Sequence, residues 1–479
     1  MREYGQSKVA VSLLLFSLAT VTSSSAQGFT KLLSFNGTNG AGPNMALVQG
    51  TDGNFYGTTL SGGAENEGTV FKMTSGGELT TLYSFCAQTN CPDGSIIYSG
   101  LVQGTDGNFY GTTDNGGANG YGTVYKITSA GAFTRMHSFN YTDGAFPVAT
   151  LIQGTDGRFY GTTYMGGAYG RGTVFRITPG GMLTTLYNFC VRANCPDGAS
   201  PYGGLVQGTD GNFYGTTSVG GVVSQFCSTG CGTVFKIAPS GKLATLHNFS
   251  WSATDGANPL AVLIQGIDGD FYGDTTGGGT NGSGTVFRIT PEGDLTTLCS
   301  MYFMGAFDGP IGGLVQATNG DFYGTTFFGG TNTGCGPYGC GSIFKVTLAG
   351  SLTTVHSDYG FDGSYPRAGL LQATNGTFYG TNSAGGIGAY GTVFSLDLGL
   401  PPFVLTEPGS GKVGAFVDIL GNNLTGSTLV TFSGITATFT VVSDSEIKAT
   451  VPAFAVTGPV EVITPGGTLR SKVDFRVTL

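Results

Sequence analysis

Short apolar runs broken by turn residues organise this chain. In one stretch they fall at 100–104, 108–113, 122–128 and 132–139, filled by apolar, β-branched and aromatic residues with Gly, Asn and Asp between them. Runs of this length and composition read as strands. The pattern then repeats. Leu-Val-Gln-Gly-Thr-Asp-Gly-Asn-Phe-Tyr-Gly-Thr-Thr occupies 101–113, and close copies place Phe-Tyr-Gly at 55, 109, 159, 213, 271, 322 and 378. Successive copies lie 50 to 58 residues apart, too long for most helical repeats and right for a four-stranded propeller blade. The first two runs of each copy meet at Asp52, Asp106, Asp156, Asp210, Asp268, Asn319 or Asn375, always followed by Gly. That interchange predicts a two-residue type I′ hairpin, which needs positive φ at both turn positions.

The ends of the array fit together. The last copy stops at 391–398 and lacks the fourth run, which the first copy carries as Leu-Thr-Thr-Leu-Tyr-Ser-Phe at 79–85. A matching run, Phe-Thr-Lys-Leu-Leu-Ser-Phe at 29–35, stands alone before the first copy. The N-terminal run is therefore expected to complete the last blade, since closing the ring removes a sheet edge that would otherwise invite aggregation. The fold expected is all-β: a seven-bladed β-propeller over 27–399, closed by an N-terminal strand. Beyond Leu400-Pro401-Pro402 the repeats and cysteines stop, and alternating runs appear at 416–420, 428–432, 437–442, 446–451 and 460–464. These predict a small Ig-like β-sandwich over 400–479.

The repeat unit carries Gly-Thr-Asp-Gly-Asn-Phe-Tyr-Gly-Thr-Thr, then Gly-Gly, then Gly-Thr-Val-Phe-Lys, and over 29–398 it resembles the GloVer-type tandem repeat of exported bacterial (choice-of-anchor) proteins. The resemblance implies export and surface display and carries over no catalytic residue. The C-terminal segment resembles an IPT/TIG domain in Pro408-Gly409-Ser410-Gly411, Ile419-Leu420-Gly421-Asn422-Asn423, Ser443-Asp444-Ser445-Glu446-Ile447 and Val451-Pro452, with Leu424 where that family usually has Phe. This second resemblance implies an extracellular spacer or contact module.

Composition narrows the setting. Glycine numbers 86 and charged residues only 10%, but 12% aromatic residues separate the chain from disordered Gly-rich sequences. A net charge of −9 supplies no basic stripe for phosphates, so nucleic acid is not an expected partner. Arg2 and Lys8 precede an apolar run at 9–21 and then Ser24-Ser25-Ala26, which predicts a secretory signal peptide at 1–26. After its removal no membrane span is expected, and the protein is expected to be secreted or held at the cell surface. Cys86/Cys91, Cys190/Cys195, Cys227/Cys231 and Cys335/Cys340 form tight pairs, which in an exported chain read as local disulfides. Cys299 is left over and is expected to be a buried free thiol.

Candidate chemistry follows the repeat. His137, His247 and His356 share one position with Leu33, Tyr83, Tyr187 and Cys299; on an outer strand they would lie far from the axis, and they read as structural, leaving no catalytic set and no metal centre. Gln49, Gln103, Gln153, Gln207, Gln265, Gln316 and Gln372 recur on the inner strand, as blade-to-blade amides or as channel lining. Asp93, Asp143, Asp197, Asp255, Asp308 and Asp362, with Asn39, sit in loops leading from an outer strand to the next inner strand. Asx-turns explain them; the alternative is a carboxylate face that holds calcium or sugar hydroxyls. The same side of the ring carries the cysteine pairs, the longest insertions at 222–231 and 331–340, and Tyr98, Tyr202, Phe226, Trp251, Tyr338 and Tyr365. Variable, pinned, aromatic loops on a rigid ring point to binding. The expected function is non-enzymatic: binding an extracellular glycan, on whose sugar faces such rings stack, or a protein partner. The alternatives are a polysaccharide-active enzyme using a carboxylate pair on that face and a purely structural surface protein.

Overall fold

The computed structural model describes residues 28–302, 309–332 and 334–478. The expected signal peptide and Asp308 lie outside the described residues. Seven four-stranded antiparallel sheets form the blades of a closed propeller. Blade 1 runs outward from the axis through Val48–Gln49, Phe55–Thr59, Thr69–Met73 and Leu79–Ser84. Blade 7 consists of Leu371–Gln372, Phe378–Asn382, Thr392–Asp397 and the N-terminal strand Gly28–Ser34, which pairs Gly28 with Asp397 and Ser34 with Thr392. The N-terminal strand thus closes the ring.

The turn after each inner strand differs from the predicted type I′ hairpin. The Gly50 N–H bonds the Asn54 carbonyl at 2.8 Å and the Gly53 N–H bonds the Gly50 carbonyl at 2.9 Å, so the loop comprises Thr51, Asp52 and Gly53. Only Gly53 takes positive φ, at 78°, the geometry of a type I turn followed by a left-handed glycine. Aspartate is chosen for its side chain rather than its backbone. Asp52 Oδ1 accepts the Asn54 N–H at 3.1 Å, and Oδ2 accepts the Tyr56 hydroxyl at 2.8 Å. In blades 6 and 7, Asn319 and Asn375 donate their amides to Tyr323 and Tyr379 instead.

Three sets of contacts circle the ring and join blade to blade. The Tyr of each Phe-Tyr-Gly packs on the Phe of the next, from Tyr56 on Phe109 at 3.9 Å between centroids to Tyr379 on Phe55 at 4.1 Å. The recurrent glutamines form a second circle. The Thr51 N–H donates to Gln103 Oε1 at 2.9 Å, and the Thr374 N–H donates to Gln49 at 3.0 Å across the seam of the ring. In the third, Thr58 donates its hydroxyl to the Ser99 carbonyl at 2.7 Å, and Thr381 to that of Met45 at 3.4 Å. Asp274 stands at this threonine position in blade 5. The glycine of the motif is a packing requirement, because a Cβ on Gly57 would lie 2.6 Å from the Phe71 ring.

The sandwich pairs Leu405–Glu407, Phe416–Leu420, Glu446–Thr450 and Phe439–Val441 in one sheet, and Ile435–Thr436, Leu429–Phe432, Val460–Thr464 and Gly467–Arg470 in the other. Val417, Ile419, Leu424, Val430, Ile447, Val462 and Phe475 fill its core. It lies against the hairpin end of the propeller. Ser445 Oγ donates to the Thr51 carbonyl at 2.9 Å, Asn422 Nδ2 to Thr374 Oγ1 at 2.6 Å, and the Arg476 guanidinium to the Thr209 carbonyl. Thr51 and Thr374 belong to blades 1 and 7, and Thr209 to blade 4 across the ring. The sandwich therefore spans that end of the channel, leaving the loop end as the open one.

Candidate functional site

At the loop end, the segments entering the inner strands surround a cavity of about 380 Å³. Every blade contributes the residue five positions before its recurrent glutamine: Asn44, Tyr98, Val148, Tyr202, Leu260, Ile311 and Arg367. This position holds asparagine in blade 1, tyrosine in blades 2 and 4, an aliphatic residue in blades 3, 5 and 6 and arginine in blade 7, whereas the leucine three positions on and the glutamine five positions on are the same in every copy. Proline precedes it in all blades except the second, which fixes φ there, and the residue before the proline is left-handed at Gly42, Phe146, Ser200, Asn258 and Tyr365, with φ between 53° and 63°. The wall is mostly apolar, with Met45, Leu151, Ile152, Leu205 and Val262 between the varying residues, and among the described residues it carries no carboxylate. Burial pushes the Tyr202 phenol above its ordinary range, Tyr98 adding to the push and Arg367 opposing it. Burial also pushes Asp114, whose charge acts on Tyr202, up to about 6.

Of the aromatic residues singled out in the sequence, Tyr98 and Tyr202 line this cavity. The others stand apart from it in two groups. Phe226 stacks on Trp251 at 5.6 Å between centroids. Tyr365 stacks on Phe327 at 5.0 Å and Tyr338 meets Phe328 at 5.7 Å. The Arg367 guanidinium lies 4.3 Å from the Phe327 centroid, so this second group reaches the cavity edge through Arg367. Tyr365 also donates its hydroxyl to the Cys335 carbonyl at 2.8 Å. Phe226 and Tyr338 are exposed.

The loop aspartates do not converge. Asp93 accepts the Tyr83 hydroxyl at 2.9 Å and the Cys86 N–H at 3.0 Å; Asp197 treats Tyr187 and Cys190 alike. Asp143 pairs with His137 Nε2 at 2.9 Å and Asp255 with His247 Nε2 at 3.1 Å. Burial pushes both of these carboxyls up, but the histidine bond and local backbone or hydroxyl donors outweigh it and hold them below the usual range. Asp362 accepts the Tyr359 N–H at 2.9 Å and faces His356 at 3.4 Å. Each of these five aspartates answers the Tyr or His of the strand before it, in blades 1, 2, 3, 4 and 6.

All four expected disulfides are formed, Cys86–Cys91, Cys190–Cys195, Cys227–Cys231 and Cys335–Cys340, and they pin loops at this end. Cys299 is free and part-buried, its thiol pushed up to about 11 by burial. The cavity itself was missed in the sequence, although its signal was there: a varying segment just before the recurrent leucine and glutamine of the inner strand.

Comparison with known proteins adds the following. The Gloeobacter/Verrucomicrobia repeat model matches residues 86–226 and 221–394, and the IPT/TIG domain model matches 405–477. Among curated proteins none matches the sequence. Similar solved structures include a fungal alcohol oxidase of the AA5 family in complex with copper, at 13% identity over 95% of this chain and 99% of that one, with a TM-score of 0.49. Another is an extracellular domain from B. thetaiotaomicron attributed to a hybrid two-component system, at 10% identity, 92% and 49% coverage and a TM-score of 0.49. A gluconolactonase from Xanthomonas campestris follows at 12% identity, 63% and 88% coverage and a TM-score of 0.38. At these identities the likeness concerns the fold and extends to no activity.

Proposed function

Because the chain belongs to the Gloeobacter/Verrucomicrobia repeat family and ends in an IPT/TIG domain, we propose that it is an exported, non-enzymatic binding protein that receives a protein partner in the open mouth of its channel. The observation that carries this reading is the ring of Asn44, Tyr98, Val148, Tyr202, Leu260, Ile311 and Arg367 around a cavity of about 380 Å³. A scaffold whose strands repeat while its channel mouth presents different residues from blade to blade is suited to recognise something asymmetric. The size falls within the range of ligand pockets, and an apolar wall with a few polar groups suits a buried side chain of a partner. Tyr and Arg are the residues that most often anchor such contacts. Four disulfides support an oxidising compartment.

Glycan binding is a second reading, favoured by the exposed rings of Phe226 and Tyr338 at the rim, which have the faces that sugars stack on. Hydrolysis would need two carboxylates at a defined separation, and among the described residues the cavity wall offers none. The test is a screen of the exported protein against displayed peptides and a polysaccharide panel. Peptide binding that falls at least tenfold in Tyr202→Ala and in Ile311→Asp supports the proposal. Sugar binding lost in Phe226→Ala or Tyr338→Ala, with the mouth variants unaffected, replaces it with the glycan reading. No ligand of either class leaves the structural reading.

A further inference from the structure

Where blades 6 and 7 meet, the repeat breaks twice in one place. The residue that follows the outer strand is a fully buried Phe or Met in every other blade: Phe35, Phe85, Phe139, Phe189, Phe249 and Met301. In blade 6 it is Asp358, equally buried. The last residue of the second strand is Thr59, Thr113, Thr163, Thr217, Thr275 or Thr326 elsewhere, bonded through its hydroxyl to the next strand. In blade 7 it is Asn382, with no exposed surface and neither amide atom hydrogen-bonded.

These two polar residues lie beside a histidine–aspartate pair that differs from its relatives. His137 and His247 bond their aspartates at 2.9 and 3.1 Å. His356 Nε2 instead stands 3.4 Å from Asp362 Oδ2 and 3.6 Å from Asp358 Oδ1, with no formed hydrogen bond to either. Neither oxygen of the buried Asp358 has a partner. One ligand atom from each of the three residues lies within 4.8 Å of the others. Phe29 of the closing strand stacks flat on the His356 ring at 3.8 Å and fixes its orientation.

We propose that His356, Asp358 and Asp362 bind a divalent transition-metal ion of the Zn²⁺ class at the seam of the ring. Donors about 2.0–2.1 Å from a tetrahedral ion sit roughly 3.4 Å from one another, close to the 3.4 and 3.6 Å that separate His356 Nε2 from the two carboxylates. One imidazole and two carboxylates suit such an ion, whereas calcium takes six or more oxygens. The fourth donor would be water. The Asn382 amide approaches Asp358 and would orient that carboxylate once the ion is bound.

The test uses residues the chain itself supplies. Purified full-length protein is stripped with chelator, and Zn²⁺ binding is measured by equilibrium dialysis with metal analysis, beside Ca²⁺. Wild type is expected to hold one Zn²⁺ and to melt higher with it. Asp358→Phe and His356→Tyr install what other blades carry at those positions, and each should weaken binding at least tenfold. His137→Tyr should leave it unchanged. If Asp358→Phe does not fold, as circular dichroism would show, His356→Tyr and Asp362→Asn decide. Co²⁺ should give the visible bands of a tetrahedral nitrogen–oxygen site. No Zn²⁺ bound by wild type, equal binding by the seam variants, or a preference for Ca²⁺ overturns the proposal.

Discussion

Replacing Asp274 with threonine should stabilise the protein, and by an amount that grows with pH. Six blades place Thr58, Thr112, Thr162, Thr216, Thr325 or Thr381 here, each donating its hydroxyl to a carbonyl of the next blade. Asp274 is 2% exposed and no side chain hydrogen-bonds either of its oxygens. Burial, opposed by the Gly313 N–H, pushes its carboxyl up to about 8 from an ordinary 3.8. The sign is that of an acid held neutral by the fold. As pH rises past about 3.8 the unfolded chain ionises and the folded one does not, so stability falls until about 8 and is flat beyond. At about 1.36 kcal/mol per pH unit, the penalty is about 2 kcal/mol at pH 5 and about 4 kcal/mol at pH 7. Urea midpoints of wild type and Asp274→Thr should be compared at pH 5, 7 and 9; midpoints are the safer measure because a ring of repeats need not unfold in two states. The gap between the curves should widen from pH 5 to 7 and level off above 8. A gap that stays constant across this range would refute the reasoning, since Asp274 would then ionise in the fold as it does outside it.

The glutamine circle should respond to burial: Gln372 is 2% exposed, so Gln372→Ala should cost roughly 2 kcal/mol, and the more exposed Gln153→Ala about 1 kcal/mol or less, read as shifts in urea midpoint. Gly57→Ala forces a methyl to 2.6 Å from the Phe71 ring and should cost about 1–3 kcal/mol in the same assay. Asp210 is held down to about 2 by Lys236, Asn212 and Tyr214 against the push of burial; the stability it adds is present above about pH 4 and lost as pH falls through 2. Asp210→Asn should therefore lower the thermal midpoint at pH 6, modestly because the pair is partly solvated, and leave it unchanged near pH 2. Cys299 should react with iodoacetamide at pH 8 far more slowly in the native protein than in urea, because burial holds its thiol near 11.

The period of the repeats, the turn punctuation and the orphan run at 29–35 carried most of the architecture, because blade pairing is local and each copy tests the others. The turn was misread for a definite reason. Asp-Gly suits two hairpin geometries, and only the pairing of Gln49 with Phe55 distinguishes them. The short strands Leu405–Glu407, Gly467–Arg470 and Arg476–Thr478 carry too few apolar residues to stand out. The pairing of loop aspartates with Tyr83, His137, Tyr187 and His247 was visible as matched positions once the strands were aligned. The channel mouth was harder to see, because Asn44, Val148 and Arg367 share nothing but their place. Nor does any local pattern tell Asn422, Ser445 and Arg476 to rest on the hairpin end. That contact joins segments distant in sequence, and it decides which end of the channel stays open.

The strand Gly28–Ser34 is the earliest described segment to be synthesised, and its partner Thr392–Asp397 belongs to the last blade. A chain halted before Leu371 has no seventh blade for that strand to join, no Thr374 for Gln49 and no Tyr379 for Phe55. It is left as an arc with an unpaired N-terminal strand and a bare blade face at either end, surfaces that pair with other chains. Completion of the polypeptide and completion of the ring are thus one event in time, and a truncated product exposes itself by failing to close.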